Sequence, residues 1–385
     1  MKSLYYRPQK VSNAAFMVMA VSTALTLLLV HRFSRETSPW ARERMLEAAY
    51  RTEACFETIQ CRRFELGHQM LLSQDPARTG MLGPSMSMVT TLPGHLDAKQ
   101  TSVNANFAAV AVKMFLDAGA KPGDRVAIGM TGSFPALNIA VLQACESLEL
   151  RPSIVSSAAS SQFGANHPEM MWPDMEKILF SEDLLSQRSL LTSPGGFRDS
   201  ASGMTEDTHA LLVDAIQRND CVELESESLT NSIEQRMKAF DEAAGEEPYV
   251  AYVNVGGGAA SVGGTLGNDH WGSGVVKLTA AADRPAQLDC VAVRFMQRQV
   301  PLINMVGAVE IARRHDMAVV PLVRPMVGES SVYQRSRVHR GIAMAGIIVL
   351  LVTTWMAVRP PNAVVALLHR LGCWKSADRR PRWTV

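Results

Sequence analysis

Three side chains with acid–base or ion-pairing chemistry, His95, Asp97 and Lys99, stand two apart in the polar stretch 90–106, TTLPGHLDAKQTSVNAN. Folded over the edge of a sheet, Lys99 would bind a carboxylate or phosphate and Asp97 would orient it. The same residues also read as solvated charges on a loop. Thr131-Gly132-Ser133 offers backbone N–H groups, a hydroxyl and a following helix start, a combination that suits an anion. Ser133, two residues before Pro135, reads equally well as a helix cap. A third cluster, Ser156, Ser157, Ser160, Ser161, Gln162 and Asn166, leads to Trp172 and Asp174 and supplies hydroxyls and amides for a pocket wall. The fourth, Asn254-Val255-Gly256-Gly257-Gly258 with Ser261, allows close approach of backbone to a ligand. None of these completes a G-x-S-x-G elbow, a G-x-G-x-x-G fingerprint or a phosphate-binding G-x-x-x-x-G-K-[ST] loop.

These loops need elements to aim them. The chain has 385 residues, 47% of them hydrophobic and 19% charged, enough apolar material for a large packed domain. Lys and Arg total 38 against 37 Asp and Glu, so a net charge of +1 gives no field for gathering nucleic acid, and none is expected as a partner. The six cysteines are scattered without C-x-x-C spacing, which reads as core filler in place of a zinc site or disulfide framework. No metal site and no cofactor are expected.

Two uncharged stretches, 13–30 (NAAFMVMAVSTALTLLLV) and 341–358 (GIAMAGIIVLLVTTWMAV), have the length and composition of membrane-spanning helices. The expected organisation is a basic tail 1–12, a transmembrane helix 13–31, a membrane-proximal helix 32–74, an α/β domain 75–330, a second transmembrane helix 341–358 and a basic tail 359–385. Membrane lipid is thus an expected partner. Nine basic residues in the tails against eight beside the inner segment tilt the expected topology toward an extracytoplasmic domain. Residues 363–374 read as a short amphipathic helix or as a frayed tail.

Within 42–72, Met45, Ala49, Thr52, Phe56 and Ile59 recur at spacings of four and three, which predicts a helix with one packing face. Residues 75–106 are expected to be loop, and 107–118 a helix closed by Gly119. RVAIGM (125–130), the helix 134–148 and RPSIVSS (151–157) form a strand, crossover helix and strand. Echoes follow in the helix 205–219 leading to 221–224, in the strand YVAYVNV (249–255), and in 302–305, 306–315 and 317–322 as strand, helix and strand. The expected fold is α/β, a mostly parallel, doubly wound sheet between two terminal transmembrane helices. Its loops after Met130, Val155 and Val255 are expected to meet in one cleft.

The stretches TTLPGHLDAKQTSVNANFAAV, GSFPALNIAVLQA, SSAASSQFGANHPEMMWPDME, GMTEDTHALLVDAI and YVNVGGGAASVG, in this order between two hydrophobic segments, resemble the poly-γ-glutamate system proteins. These are membrane proteins encoded beside the ligase and membrane subunits that make poly-γ-glutamate. The short TLGNDHWGSG departs from the longer region usual in that family. The resemblance implies an accessory membrane component of poly-γ-glutamate synthesis or export whose pocket holds a carboxylate-rich ligand, with the synthase subunits and the polymer as partners. An amide hydrolase or transferase acting on the polymer, and a non-catalytic scaffold, are the alternatives. Residues, loops and resemblance together single out Thr91, Asp97, Lys99, Ser133, Ser157, Ser160, Asn166, Asp174, Asn254, Gly256, Gly257, Gly258 and Ser261 as ligand-binding, without a catalytic assignment.

Overall fold

A computed structural model describes residues 13–32, 35–36, 38–277, 288–334, 336–337 and 340–358. The chain divides into two compact units, one made of the two terminal segments (1–37 and 335–385) and the other of 38–334. In the first, helices α1 (Asn13–Arg32) and α13 (Arg340–Val358) pack together, and strands β1 (Arg35–Glu36) and β10 (Ser336–Arg337) pair antiparallel. Gly346 marks the close approach of the two helices, since a methyl there would meet Thr26 Cγ2 at 2.1 Å. The two expected spans fall on these helices, but among the described residues no helix is long and apolar enough to cross a membrane. The basic tails 1–12 and 359–385, with the segment 363–374, lie outside the described residues.

The second unit begins with α2 (Pro39–Glu65), capped by Ser38, whose hydroxyl accepts from Ala41 N at 3.1 Å. The expected stripe Met45, Ala49, Thr52, Phe56 and Ile59 is buried. The segment 75–106 is not all loop, because α3 (Leu96–Ser102) forms within it. Next come α4 (Phe107–Ala118), ended by Gly119 at φ 98°, β2 (Arg125–Thr131), α5 (Pro135–Ser147) and β3 (Arg151–Ser157). A small hairpin, β4 (Asn166–His167) and β5 (Met170–Met171), leads into α6 (Trp172–Ser181). Then follow β6 (Leu191–Ser193), α7 (Glu206–Gln217), α8 (Leu229–Ala244) and β7 (Tyr249–Val255). The unit continues through α9 (Ala259–Val262), α10 (Gly264–Trp271), β8 (Gly274–Val276), α11 (Val291–Gln297), β9 (Leu302–Met305) and α12 (Ala308–Arg314).

Six strands form one sheet in the order β6-β3-β2-β7-β9-β8, parallel except for the edge strand β8. The order reverses between β2 and β7, the hallmark of a doubly wound sheet and the place where its ligands collect. Val126, Ile128 and Met130 point into the core under α2, α4 and α5, whereas Ala127, Val155 and Tyr252 point into the core under α8 and α11. Helices on both faces explain why the strands read as continuous apolar runs. Two details differ from expectation. Residues 221–224 contribute only a single bridge, Thr192 to Glu223, and the strand they were expected to form is the three-residue β6 instead. Residues 317–322 are not a strand, and the sheet ends on the antiparallel β8.

Candidate functional site at the carboxyl edge of the sheet

Lys99 sits on the inner side of α3 with 2% of its surface exposed. Its Nζ donates to the carbonyl of Ser133, lies 2.9 Å from Ser161 Oγ and rests 4.1 Å from the centre of the Phe134 ring. Among the described residues it makes no ion pair. Burial without a counterion disfavours the ammonium and brings Lys99 down to about 7, so that near neutrality much of it is an amine with a lone pair. The amino end of α5, a 13-residue helix that starts at Pro135 directly after Phe134, adds a positive potential of the same sense.

Ser133 ties the cluster together. Its carbonyl receives the Lys99 N–H, its hydroxyl accepts from Ser161 N at 3.1 Å, and its own N–H donates to Thr131 Oγ1 at 3.3 Å. Two glycines let these loops interlock. A methyl on Gly132 would lie 2.9 Å from Ala158 O, and one on Gly164 would lie 2.3 Å from Ser160 Oγ and 2.6 Å from Ser133 O. The segment before α3 clamps the serine loop from outside. Thr91 donates to Ser160 O through both N (2.9 Å) and Oγ1 (3.1 Å), Leu92 O accepts from Gln162 N at 3.0 Å, and Pro84 O accepts from Phe163 N at 3.2 Å. Ser161 is partly exposed while its neighbour Ser160 is buried and donates back to Ser161 O at 2.8 Å. Ser161 therefore sets a hydroxyl beside Lys99 in a residue that is only partly buried.

The expected convergence holds for the backbone. Gly132 N donates to Ser157 O at 3.2 Å, and a methyl on Gly256 would meet Thr131 Oγ1 at 2.5 Å, so the loops after β2, β3 and β7 share one edge. The side chains separate into clusters. Ser157 belongs to a closed network in which Arg236 pairs with Asp199 at 2.7 Å and both hold the hydroxyls of Ser157 and Ser193. Asn254 donates to Asn304 Oδ1 at 2.7 Å and accepts from Ser261 Oγ at 2.7 Å, while Tyr252 OH stands 2.5 Å from Ser261 Oγ. Both networks are buried. Gly256, at φ 94°, and Gly258, the residue before α9, shape the turn over Thr131, and Gly257 faces Asn268.

Three expected site residues serve the fold instead. Asp97 is exposed and accepts from Ala98 N at 2.8 Å, so it does not orient Lys99. Asn166 anchors the segment before α3 by donating to Pro84 O and Thr90 Oγ1, both at 2.9 Å. Asp174 caps α6 through Met171 N and binds Arg218 and Asn219. Conversely, Ser161 carries the strongest chemical position although only its membership of a serine run pointed to it. Fold and edge cluster together define an α/β protein with a doubly wound sheet and a desolvated lysine–serine pair. Neither a family profile, nor a curated protein, nor a solved structure matches the chain.

Proposed function

We propose that the chain is an acyl-transfer enzyme, an amide hydrolase or transferase, in which Ser161 is the nucleophile and Lys99 the general base. The observation that carries this is the 2.9 Å contact between Ser161 Oγ and a buried Lys99 Nζ without a carboxylate partner. Lys99 Nζ donates to both Ser133 O and Ser161 Oγ, and as a neutral amine it would keep a lone pair with which to take the Ser161 hydroxyl proton. In the first step Lys99 takes the hydroxyl proton as Ser161 Oγ bonds to the amide carbon. The ammonium then protonates the leaving nitrogen, the C–N bond breaks, and a serine ester remains. Water, deprotonated by Lys99, attacks that ester, releasing a carboxylate and restoring the serine; an amine in place of water gives transfer. The amino end of α5 favours the developing oxyanion.

The resemblance to poly-γ-glutamate system proteins supports a γ-linked glutamyl amide as substrate, the uncharged stretches 13–30 and 341–358 support anchorage in a bilayer, and the basic residues of the tails 1–12 and 359–385 support an extracytoplasmic domain. Such placement confines the enzyme to emerging or finished polymer beside the synthase. An accessory, non-catalytic role is the second reading, favoured by the same Lys99, whose protonated form would pair with a glutamate carboxylate at the helix end. The deciding experiment uses the full chain in detergent micelles with γ-glutamyl oligomers. New amino ends should accumulate with time, and a fluorophosphonate should label Ser161 as mapped by peptide mass spectrometry. Equal turnover by wild type and Ser161→Ala sinks the enzyme reading. Oligomer binding that survives Ser161→Ala and fails in Lys99→Met, without any turnover by wild type, selects the accessory role. Impermeant thiol labelling of intact cells at Ser200→Cys and Ser376→Cys reports the topology.

A further inference from the structure

We infer that the second unit carries a divalent metal site of the zinc class formed by His68, His167 and Glu169, independent of the lysine–serine pair. His68 lies just beyond the carboxyl end of α2, whereas His167 and Glu169 belong to the β4–β5 hairpin, so about a hundred residues separate the two contributions. One nitrogen or oxygen from each of the three side chains falls within 4.8 Å of the others. His68 Nε2 is 3.1 Å from Glu169 Oε2, close to the separation of about 3.3 Å between two ligands at the corners of a zinc tetrahedron. The two imidazoles face each other with ring centres 3.8 Å apart.

The 3.1 Å contact between His68 Nε2 and Glu169 Oε2 has hydrogen-bond length, and a cation bound by both atoms would take the place of that bond. The His68 side chain is 4% exposed, so this ligand is held away from solvent.

The surroundings admit a cation. Glu169 also lines a cavity of about 810 Å³ whose wall contributes five carboxylates, among them Glu57, Glu65 and Glu182, against two basic side chains. Both basic ones are already paired, Arg62 with Glu65 and Lys177 with Asp220. Of the nearby guanidinium groups, Arg63 is turned to the carbonyls of Gly80 and Leu82 and Arg218 is held by Asp174 and Asp214. Two imidazoles and one carboxylate favour zinc over magnesium or calcium, and three protein ligands leave a fourth position for water or another ligand.

The test uses the full chain in detergent, stripped with a chelator and titrated with Zn²⁺ and Co²⁺. Wild type should bind one equivalent, the cobalt form should show the intense visible bands of a tetrahedral site, and zinc should raise the melting temperature. Glu169→Gln, at an exposed position, and His167→Ala should each weaken binding at least about tenfold, whereas His209→Ala, an exposed histidine on α7, should bind as wild type. Absence of a stoichiometric metal in wild type, or unchanged affinity in both variants, overturns the assignment.

Discussion

Two cations are buried to the same 2% exposure at the carboxyl edge of one sheet, and they are treated in opposite ways. Arg236 is answered by Asp199 at 2.7 Å and by the hydroxyls of Ser157, Ser193 and Ser232, so its charge is fully compensated. Lys99 is answered by a carbonyl, a hydroxyl and an aromatic face, none of which bears a negative charge. A guanidinium cannot shed its proton, so Arg236 stays charged and is met by a carboxylate; an amine has the other option. The first arrangement fixes structure. The second leaves a group that changes protonation near neutrality beside a hydroxyl that can use the change.

The comparison breaks most sharply on catalysis. In the proposed acyl-transfer chemistry Lys99→Met should lower turnover by about 10²–10⁴-fold, with stability unchanged or raised because an unpaired buried cation is removed, as read by initial rates and chemical denaturation. On the Arg236 side the effect should fall on stability. Asp199→Ala strands a buried guanidinium and should cost about 3–5 kcal/mol in denaturant unfolding. Gly256→Ala, at φ 94° with a methyl directed at Thr131 Oγ1, should cost about 1–3 kcal/mol. Ser157→Ala should be smaller, about 1 kcal/mol, because Ser193 and Asp199 still serve Arg236.

The pH dependence sharpens the same contrast. The folded Lys99 titrates at about 7, below the ordinary lysine value near 10.4. Between those values the unfolded chain holds more protons, so Lys99 makes stability rise with pH from about 7 to about 10. Turnover should rise through the same lower value as the base becomes neutral. Lys99→Met should flatten the stability rise in denaturation curves measured across that range. A slope identical in wild type and variant would mean that Lys99 stays charged in the fold.

Much of the architecture was legible because buried parallel strands write themselves as apolar runs. RVAIGM and YVAYVNV are β2 and β7, and the spacing of Met45 to Ile59 marked the packed face of α2. Short pieces were not legible: LTS in β6 and GVV in β8 are strands only because β3 and β9 offer them an edge. The site was half legible. Lys99 stood out by type, but its assigned helper Asp97 lies two residues away on a helix, where side chains point nearly opposite ways. Its real partner, Ser161, lies 62 residues along the chain and is brought in by loops held together by Ser133, Gly132 and Gly164. The pairing of His68 with His167 and Glu169 is equally long in range, so no local spacing could announce it.

The interlocked glycines 132 and 164 set a limit on how this protein can vary. Neither position touches a substrate in the proposed chemistry, yet each excludes a single added carbon because carbonyl oxygens already fill the space. In a saturation library scored for activity they should look as intolerant as the lysine and the serine, and only a separate measure of folding would tell the two kinds of position apart. Anyone redesigning this edge of the sheet therefore has to leave this crossing intact and seek diversity in side chains that face solvent, such as Leu92 or Phe197.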